Sequence, residues 1–373
     1  MKKPVLFSFF SGSGFLDLGF ENSGFDVAFV NEFHKPFLDA YKYTRKQMGH
    51  ELPSFGHSSS SIEEFLNGEE GKQFSSIVEK AKATGSLVGF VGGPPCPDFS
   101  VGGKNKGSEG ENGKLTRTYI DLILKDNPDY FIFENVKGLW RTKRHREFYE
   151  EMKDKVVKAG YVLTDRLTNC IEYGAPQDRD RILMFGVKKK HLNKKLNSEG
   201  ITPLFNWDAQ ISVDRKLVMD KARWPDMNDF IVDNDVCYSK VIDKELVPLS
   251  VQHWFDKNDV LNHPNSKHHF QPKSDKFTFI KEGDDSKKSF KRLHRWRYSP
   301  TAAYGNNEVH LHPYKARRIS AAEALAIQSL PPEFHFPDTM TLSNMFKTIG
   351  NGVPYVAAKG LAETVYKFLE GHC

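Results

Sequence analysis

Residues 86–100, SLVGFVGGPPCPDFS, are the most informative stretch for the fold of this chain. The first part of the stretch is short, apolar and partly β-branched, which predicts a buried strand over 86–91. Two glycines and two prolines then end the strand abruptly, and Cys96 follows at that stop. Because ligands bind outside the carboxyl ends of strands in open α/β sheets, Cys96 is a candidate nucleophile. The alternative is a small buried hydrophobe, the usual role of a free cysteine.

Composition restricts the class of protein. The chain has 373 residues, of which 39% are hydrophobic, enough for one large domain or two. No apolar run reaches the roughly 18 residues of a membrane span, and no signal-peptide pattern is visible. We therefore expect a cytoplasmic protein without a membrane segment. Four widely spaced cysteines without a CxxC pair argue against a structural metal site or a disulfide framework.

Short apolar strands alternate with helices up to about residue 187, which predicts an α/β fold. A strand at 5–10 enters a glycine turn at 11–14, where backbone N–H groups can approach a ligand. A second strand at 25–30 leads to Glu32, and a carboxylate at this distance from a glycine turn commonly binds ribose hydroxyls. The glycine turn and Glu32 together indicate an adenosine-type ligand. A plain strand–turn–helix with an exposed glutamate is the alternative.

Two later strands also carry charged residues at their ends. A strand at 129–133 ends in Glu134, and a carboxylate there is costly unless it is paired, protonated or functional. Arg179 and Arg181 precede a strand at 182–187 and share one side of the chain, because side chains alternate.

From about residue 188 to 316 the sequence becomes polar, proline-containing and basic, which predicts a separate irregular domain with short strands. Within it, residues 286–318 hold nine Lys/Arg, one acidic residue and five aromatic residues. This pattern suits a phosphate backbone and stacked bases, and a solvated basic face is the alternative. A helix at 319–328 with a Ser320/Glu323 capping box, a loop at 344–354 and a helix at 355–370 follow.

In this order the motifs resemble those of the DNA cytosine-5 methyltransferases. The resemblance rests on the turn Phe10-Ser11-Gly12-Ser13-Gly14, on Asn31-Glu32, on the Pro-Cys loop within 92–100, on Glu134-Asn135-Val136, on Gln177-x-Arg179-x-Arg181, and on blocks at 318–332 and 350–354. It covers about 1–187 and 316–373. The chain departs from the family at Pro97, where Gln is usual, and at Ser61, where Asp is frequent.

The resemblance implies an α/β fold with two domains. A Rossmann-like S-adenosylmethionine-dependent methyltransferase domain is expected over 1–187 plus 334–373. A smaller, irregular, mostly β target recognition domain is expected over 188–333, with a hinge at about 316–335. The implied reaction transfers a methyl group from S-adenosylmethionine to carbon 5 of a flipped-out cytosine in duplex DNA, leaving S-adenosylhomocysteine and needing no metal. The compact chain favours a monomer of the prokaryotic restriction-modification type, functionally paired with an endonuclease.

The resemblance also assigns roles to residues. The Cys96 thiolate adds to carbon 6, Glu134 shares a proton with N3, Arg181 holds O2, and Arg179 supports the loop and the base. The implied cofactor pocket comprises Phe10, Ser11, Gly12, Ser13, Gly14, Glu32, Phe33, Ile62, Pro94, Asn351 and Gly352. The implied DNA contacts are Ser100, Lys104, Lys106, Gln177, Arg292, Arg295, Arg297, Thr301 and Tyr304.

Two other functions stay open at this point. A transfer-RNA cytosine-5 methyltransferase would share the fold, although the long middle section favours duplex DNA. A catalytically silent DNA-binding regulator is the other, and the intact Cys96, Glu134 and Arg181 argue against it.

Overall fold

A single mixed sheet organises the molecule. The computed structural model describes residues 2–95, 111–193, 200–234, 243–287, 289–304 and 308–373. The strands are β1 (Val5–Phe9), β2 (Asp26–Asn31), β3 (His57–Ser58), β4 (Val88–Gly92), β5 (Tyr130–Val136), β6 (Tyr161–Asn169) and β7 (Asp180–Lys188). They form one seven-stranded sheet in the order β3-β2-β1-β4-β5-β7-β6. Strands β1 to β5 pair in parallel, whereas β7 runs antiparallel to both β5 and β6.

Helices cover both faces of the sheet. The described α-helices are α1 (Phe15–Glu21), α2 (Lys35–Gln47), α3 (Gly68–Ala83), α4 (Glu111–Asp126), α5 (Gly138–Arg141), α6 (Lys143–Lys158), α7 (Arg215–Val218), α8 (Val251–Lys257), α9 (Ala321–Ile327), α10 (Leu342–Asn351) and α11 (Tyr355–His372). Alternate strand residues point to opposite faces, so Phe90 belongs to the apolar cluster that includes residues of α3, α4 and α6, while Val91 belongs to the cluster that includes residues of α1, α2 and α11. The α/β prediction is therefore confirmed. None of the described helices is long and apolar enough to cross a membrane.

The part of the chain between β7 and α9 is irregular, as predicted, but its described residues form short helices such as α7 and α8 and not the short strands that were expected. Its β-structure, among the described residues between 200 and 320, consists of isolated bridges such as Asn228 with Glu282 and Arg292 with Leu311. The first residues of this part still pack on the sheet, because Phe205 stacks on Phe185 with ring centroids 4.9 Å apart. The predicted domain boundary at 188 stays a prediction.

One predicted loop is a helix. Residues 344–354 were expected to form a loop because of their glycines and asparagines, yet α10 continues to Asn351. Thr341 caps the helix, since its Oγ1 accepts from the Asn344 N–H at 3.3 Å. Met345, Phe346 and Ile349 bury one face. Burial of that face outweighs the weak local propensity of the glycines.

Candidate active site

The carboxyl ends of β1, β2, β4 and β5 meet at one edge of the sheet. The beginning of β7 lies at the same edge, because β7 is antiparallel to β5 and pairs Arg181 with Val136. The reversal brings an arginine motif that precedes its strand beside Glu134, which lies near the end of its own strand. Groups that are far apart in sequence thus converge at the edge where ligands bind in α/β folds.

The turn after β1 forms a backbone cradle. Phe10, Gly12 and Gly14 have φ values of 55°, 57° and 82°, a conformation that glycine adopts readily. The Gly12 N–H donates to Glu32 Oε2 at 2.8 Å, and the His34 N–H donates to Glu32 Oε1 at 2.7 Å. Burial raises the pKa of Glu32, and these two hydrogen bonds oppose the rise. The carboxyl group is thereby fixed directly beside the turn.

Arg45 of α2 supports the turn through its guanidinium group. Its Nη2 donates to the Gly14 carbonyl at 2.6 Å, and its Nε lies 2.7 Å from Glu21 Oε2. A Cβ on Gly14 would lie 2.4 Å from the Tyr41 ring and 2.6 Å from the Arg45 guanidinium, so this position requires glycine. Arg45 is absent from the predicted site, because an arginine in an ordinary amphipathic helix carries no local sign of this contact.

The C-terminal part of the chain closes the other side of the turn. Ser13 Oγ and Thr348 Oγ1 of α10 lie 2.9 Å apart. A Cβ on Gly352 would lie 2.2 Å from the Phe15 ring, so the backbone at Gly352 packs directly against this side chain of α1. Asn351 is exposed at the end of α10. The role of Asn351 and Gly352 in the cofactor pocket stays a prediction.

The residues around the turn fit an adenosine-type cofactor such as S-adenosylmethionine. The Ser11 hydroxyl is buried and has no hydrogen-bond partner within the described part of the chain. Phe33 follows Glu32 with 70% of its surface exposed, whereas Ile62 is 2% exposed. Ser61, ahead of Ile62, forms a capping box with Glu64. Pro94 is buried beyond the end of β4. The cradle therefore offers a carboxylate, a buried hydroxyl and aromatic surface together.

Glu134 and Arg181 form the centre of the second part of the site. Arg181 Nε lies 2.7 Å from Glu134 Oε1, and both side chains are about one-tenth exposed. Burial raises the pKa of Glu134, and the charges of Arg181 and Arg179 work against that rise. A Cβ on Gly93 would lie 2.5 Å from Glu134 Oε2, so the backbone after β4 runs directly against this carboxyl group.

Arg179 joins three distant segments. Its Nη2 donates to the Gly350 carbonyl at 2.7 Å and its Nη1 to the Ala302 carbonyl at 3.0 Å. Burial, with the neighbouring Arg181 charge, lowers the pKa of Arg179 to about 9. Gln177 is 0% exposed, and its Oε1 accepts from the Ala302 N–H at 3.0 Å. Its predicted role as a DNA contact is corrected, because its amide is used within the fold.

The structure also corrects several other predicted DNA contacts. Arg292 is 1% exposed and donates to four main-chain carbonyls, and Arg295 is 4% exposed and pairs with Glu282. Tyr304 is 4% exposed and packs on Phe346. All three side chains are used within the fold. The two guanidinium groups already donate to carbonyls or to Glu282, and the Tyr304 ring is packed, so none of them presents its polar group to a phosphate.

Two predicted contacts remain nearer the surface. Arg297 is partly buried and donates from Nε to the Pro225 carbonyl at 2.6 Å. Thr301 is exposed, with its hydroxyl on the Asp178 carbonyl at 2.6 Å. Their role at DNA stays a prediction.

Some predicted site residues cannot be placed. Cys96, Ser100, Lys104 and Lys106 lie outside the described residues. The residues just before this gap include Gly93, the close neighbour of Glu134. Within the described ranges, no group of three or more His, Cys, Asp or Glu side chains could hold a metal ion.

The motifs and their arrangement define a protein family. A profile of C-5 cytosine-specific DNA methylases matches residues 5–367, and the chain belongs to this family of DNA cytosine-5 methyltransferases. It is 57% identical over 373 residues to the type II methyltransferase M.NmeDI of Neisseria meningitidis serogroup C, covering 100% of this chain and 85% of that protein. It is 26% identical over 376 residues to the type II methyltransferase M.MthTI of Methanothermobacter thermautotrophicus, covering 98% and 97%.

A solved structure supports the fold independently. The crystal structure of a prophage-encoded E. coli protein, described as a DNA modification methyltransferase, superposes with a TM-score of 0.61. The match covers 99% of this chain and 100% of that chain at 22% sequence identity. The Rossmann-like architecture predicted from the motifs is therefore confirmed.

Proposed function

We propose that this enzyme methylates carbon 5 of a cytosine flipped out of duplex DNA, with S-adenosylmethionine as the methyl donor and Cys96 as the nucleophile. The observation that supports this best is the buried Glu134–Arg181 pair, 2.7 Å apart, against which the backbone leading to Cys96 runs. A base inside a duplex cannot reach a buried carboxyl group, so the cytosine must leave the stack.

Cys96 starts the reaction. Its thiolate donates an electron pair to carbon 6 and forms the S–C6 bond, while Glu134 gives a proton to N3. The electrons of the C5–C6 double bond thereby make carbon 5 nucleophilic. S-adenosylmethionine, when bound, supplies an electrophilic methyl group on a sulfonium. Carbon 5 would accept this methyl group as its bond to sulfur breaks, which leaves S-adenosylhomocysteine, and N3 would return its proton to Glu134.

Loss of the carbon-5 proton completes the turnover. A general base takes that proton, the electron pair of the C–H bond restores the C5–C6 double bond, and the S–C6 bond breaks so that Cys96 leaves as a thiolate. Burial raises the pKa of Glu134, which favours the protonated form that N3 requires. Arg181 Nε holds the same carboxyl group in place, and its Nη2 would donate to the base carbonyl.

Binding of S-adenosylmethionine is assigned to the glycine turn. The turn at residues 12–14 would receive the methionine carboxylate through the Ser13 N–H, because the Gly12 and Gly14 N–H groups already donate to Glu32 and to the Ser11 carbonyl. Glu32 would bind the ribose hydroxyls. The Ser11 hydroxyl, buried without a partner in the described residues, supplies one further donor. Phe33 and Ile62 would flank the adenine, with Phe10, Pro94, Asn351 and Gly352 lining the remainder.

The biological role follows from similarity. Because the relative with 57% identity is a type II methyltransferase, we propose that this enzyme protects host DNA from a cognate endonuclease. It would act as a cytoplasmic monomer, without a stable complex with that endonuclease. Plasmid DNA from cells that express the enzyme should become resistant to the endonuclease of the source organism.

A trapping assay tests the chemistry. The enzyme is mixed with S-adenosylmethionine and duplex DNA in which 5-fluorocytosine replaces cytosine, because fluorine cannot leave carbon 5 as a proton. We expect a denaturation-resistant protein–DNA adduct that disappears in Cys96→Ala and persists in Cys373→Ala, a matched cysteine control. An adduct only with fluorinated transfer RNA would refute the DNA substrate. Tight DNA binding without any adduct would refute the enzymatic role.

A further inference from the structure

The arginine motif at the start of β7 has a second, acidic side. In the run from Gln177 to Arg181 the residues alternate, so Arg179 and Arg181 share one side and Asp178 and Asp180 the other. The side-chain amide of Asn169 binds both carboxylates: its Nδ2 donates to Asp178 Oδ1 at 2.7 Å and to Asp180 Oδ1 at 2.9 Å. Its Oδ1 accepts from the Arg179 N–H at 3.1 Å.

Asp180 collects further contacts from two other segments. Lys137 Nζ donates to its Oδ2 at 3.0 Å, and Arg215 Nη2 donates to its Oδ1 at 2.7 Å. Lys137 lies opposite Asp180 by extension of the β5–β7 register, in which Val136 pairs with Arg181. The Asp180 side chain is 4% exposed. Burial alone would raise the pKa of Asp180, but hydrogen bonds from Lys137 and Asn169 hold it below its usual value.

These contacts join the catalytic edge to the part of the chain assigned to target recognition. Lys137 follows the strand that carries Glu134, and Asn169 ends β6. Arg215 begins α7, within the predicted target recognition domain. Asp180 therefore touches the ends of two sheet strands and the recognition region, directly between the two arginines of the site.

We propose that Asp180 is a positioning residue for Arg181 and Arg179, and that its ion pair with Arg215 couples the recognition region to the catalytic arginines. The proposal rests on the function proposed above. Arg181 Nη1 donates to the main-chain carbonyl of Asp180 at 2.8 Å, so a shift of this residue moves the guanidinium that holds Glu134. Displacements of about 1 Å at a reacting centre cost on the order of 100-fold in rate.

The test compares two Asp–Arg pairs in the same protein. Asp180→Asn keeps the shape of the side chain and removes its charge, and Arg215→Ala removes the coupling partner. The matched controls are Asp243→Asn and Arg223→Ala, because Arg223 Nε donates to Asp243 Oδ2 at 2.9 Å away from the arginine motif. Arg215→Lys restores the positive charge.

For each variant we would measure kcat, KM for S-adenosylmethionine, DNA affinity, the thermal midpoint and the single-turnover rate of adduct formation on 5-fluorocytosine DNA. Asp180→Asn should lower kcat and the adduct rate together by about 10- to 100-fold, with KM for S-adenosylmethionine unchanged. Arg215→Ala should lower the same two rates by less, and Arg215→Lys should recover part of the loss. The controls should match the wild-type enzyme.

Two outcomes would separate the possible failures. If the wild-type enzyme forms no adduct, the proposed function itself is wrong. If the wild type forms the adduct and folded Asp180→Asn does so equally fast, the positioning role is wrong, whatever the change in thermal midpoint. Equal losses in Arg215→Ala and Arg223→Ala would refute the coupling between the recognition region and the catalytic arginines.

Discussion

Replacing Gly14 by alanine should damage the cofactor turn by a calculable amount. Gly14 has a φ of 82°, a left-handed conformation that costs an alanine about 1–2 kcal/mol. The new Cβ would also lie 2.4 Å from the Tyr41 ring and 2.6 Å from the Arg45 guanidinium. Both neighbours are buried and held by Glu21, so the overpacking should add about 1–3 kcal/mol. Gly14→Ala should therefore lower the free energy of unfolding by about 2–5 kcal/mol.

Gly160→Ala provides a matched control. Gly160 has a φ of 89°, and a Cβ built on it meets nothing within 4 Å. The control therefore carries the backbone strain without the collision and should cost about 1–2 kcal/mol. Urea denaturation of both variants gives the difference, and titration with S-adenosylmethionine gives the functional effect. Only Gly14→Ala should weaken cofactor binding, because Gly14 caps α1 at the end of the turn that holds Glu32, whereas Gly160 lies outside this turn.

Equal destabilisation by the two substitutions would refute the reasoning. It would mean that Tyr41 and Arg45 can move away without cost, so that they do not support the turn. Normal cofactor affinity in a destabilised Gly14→Ala enzyme would separately show that the position of the Gly14 carbonyl does not matter for cofactor binding.

Three further predictions concern buried charges. Burial raises the pKa of Asp17 to about 7, so its contribution to stability is complete below the ordinary carboxyl pKa and is lost as pH rises through about 7. The loss should reach about 4 kcal/mol, and urea midpoints of Asp17→Asn should lack this pH dependence. Glu134→Gln should slow adduct formation by about 100-fold or more. The wild-type rate should fall as pH rises above the elevated pKa of Glu134, whereas the residual rate of the variant should not; parallel profiles would contradict the proton transfer. Arg292→Ala leaves four main-chain carbonyls without their donor, two of them in buried hydrogen bonds and two in partly buried ones, and should cost about 3 kcal/mol or more. The salt dependence of its DNA binding should equal that of the wild type, and a shallower slope would restore Arg292 as a phosphate contact.

The sequence determined the candidate active site to a large extent because the informative signals are local. A glycine turn after an apolar strand, an acidic residue after the next strand, and Glu134 at the end of another each identify a strand end that carries function. The alternation of Arg179 and Arg181 is likewise visible in the sequence. These patterns sufficed for the α/β fold, the family and most of the residues now found along one sheet edge.

Tertiary structure decided where charge is used and where it is buried. Arg292 and Arg295 look like surface cations in sequence, yet carbonyls from 277, 280, 312 and 315 surround the first and Glu282 holds the second. The support that Arg45 gives to Gly14, and that Asn169 and Asp180 give to the arginine motif, also joins segments that are distant in sequence. The spacing of residues in the sequence predicts which side chains lie at the end of a strand. The partner that buries or orients a charged side chain comes from a distant segment, so it is determined only when those segments pack together.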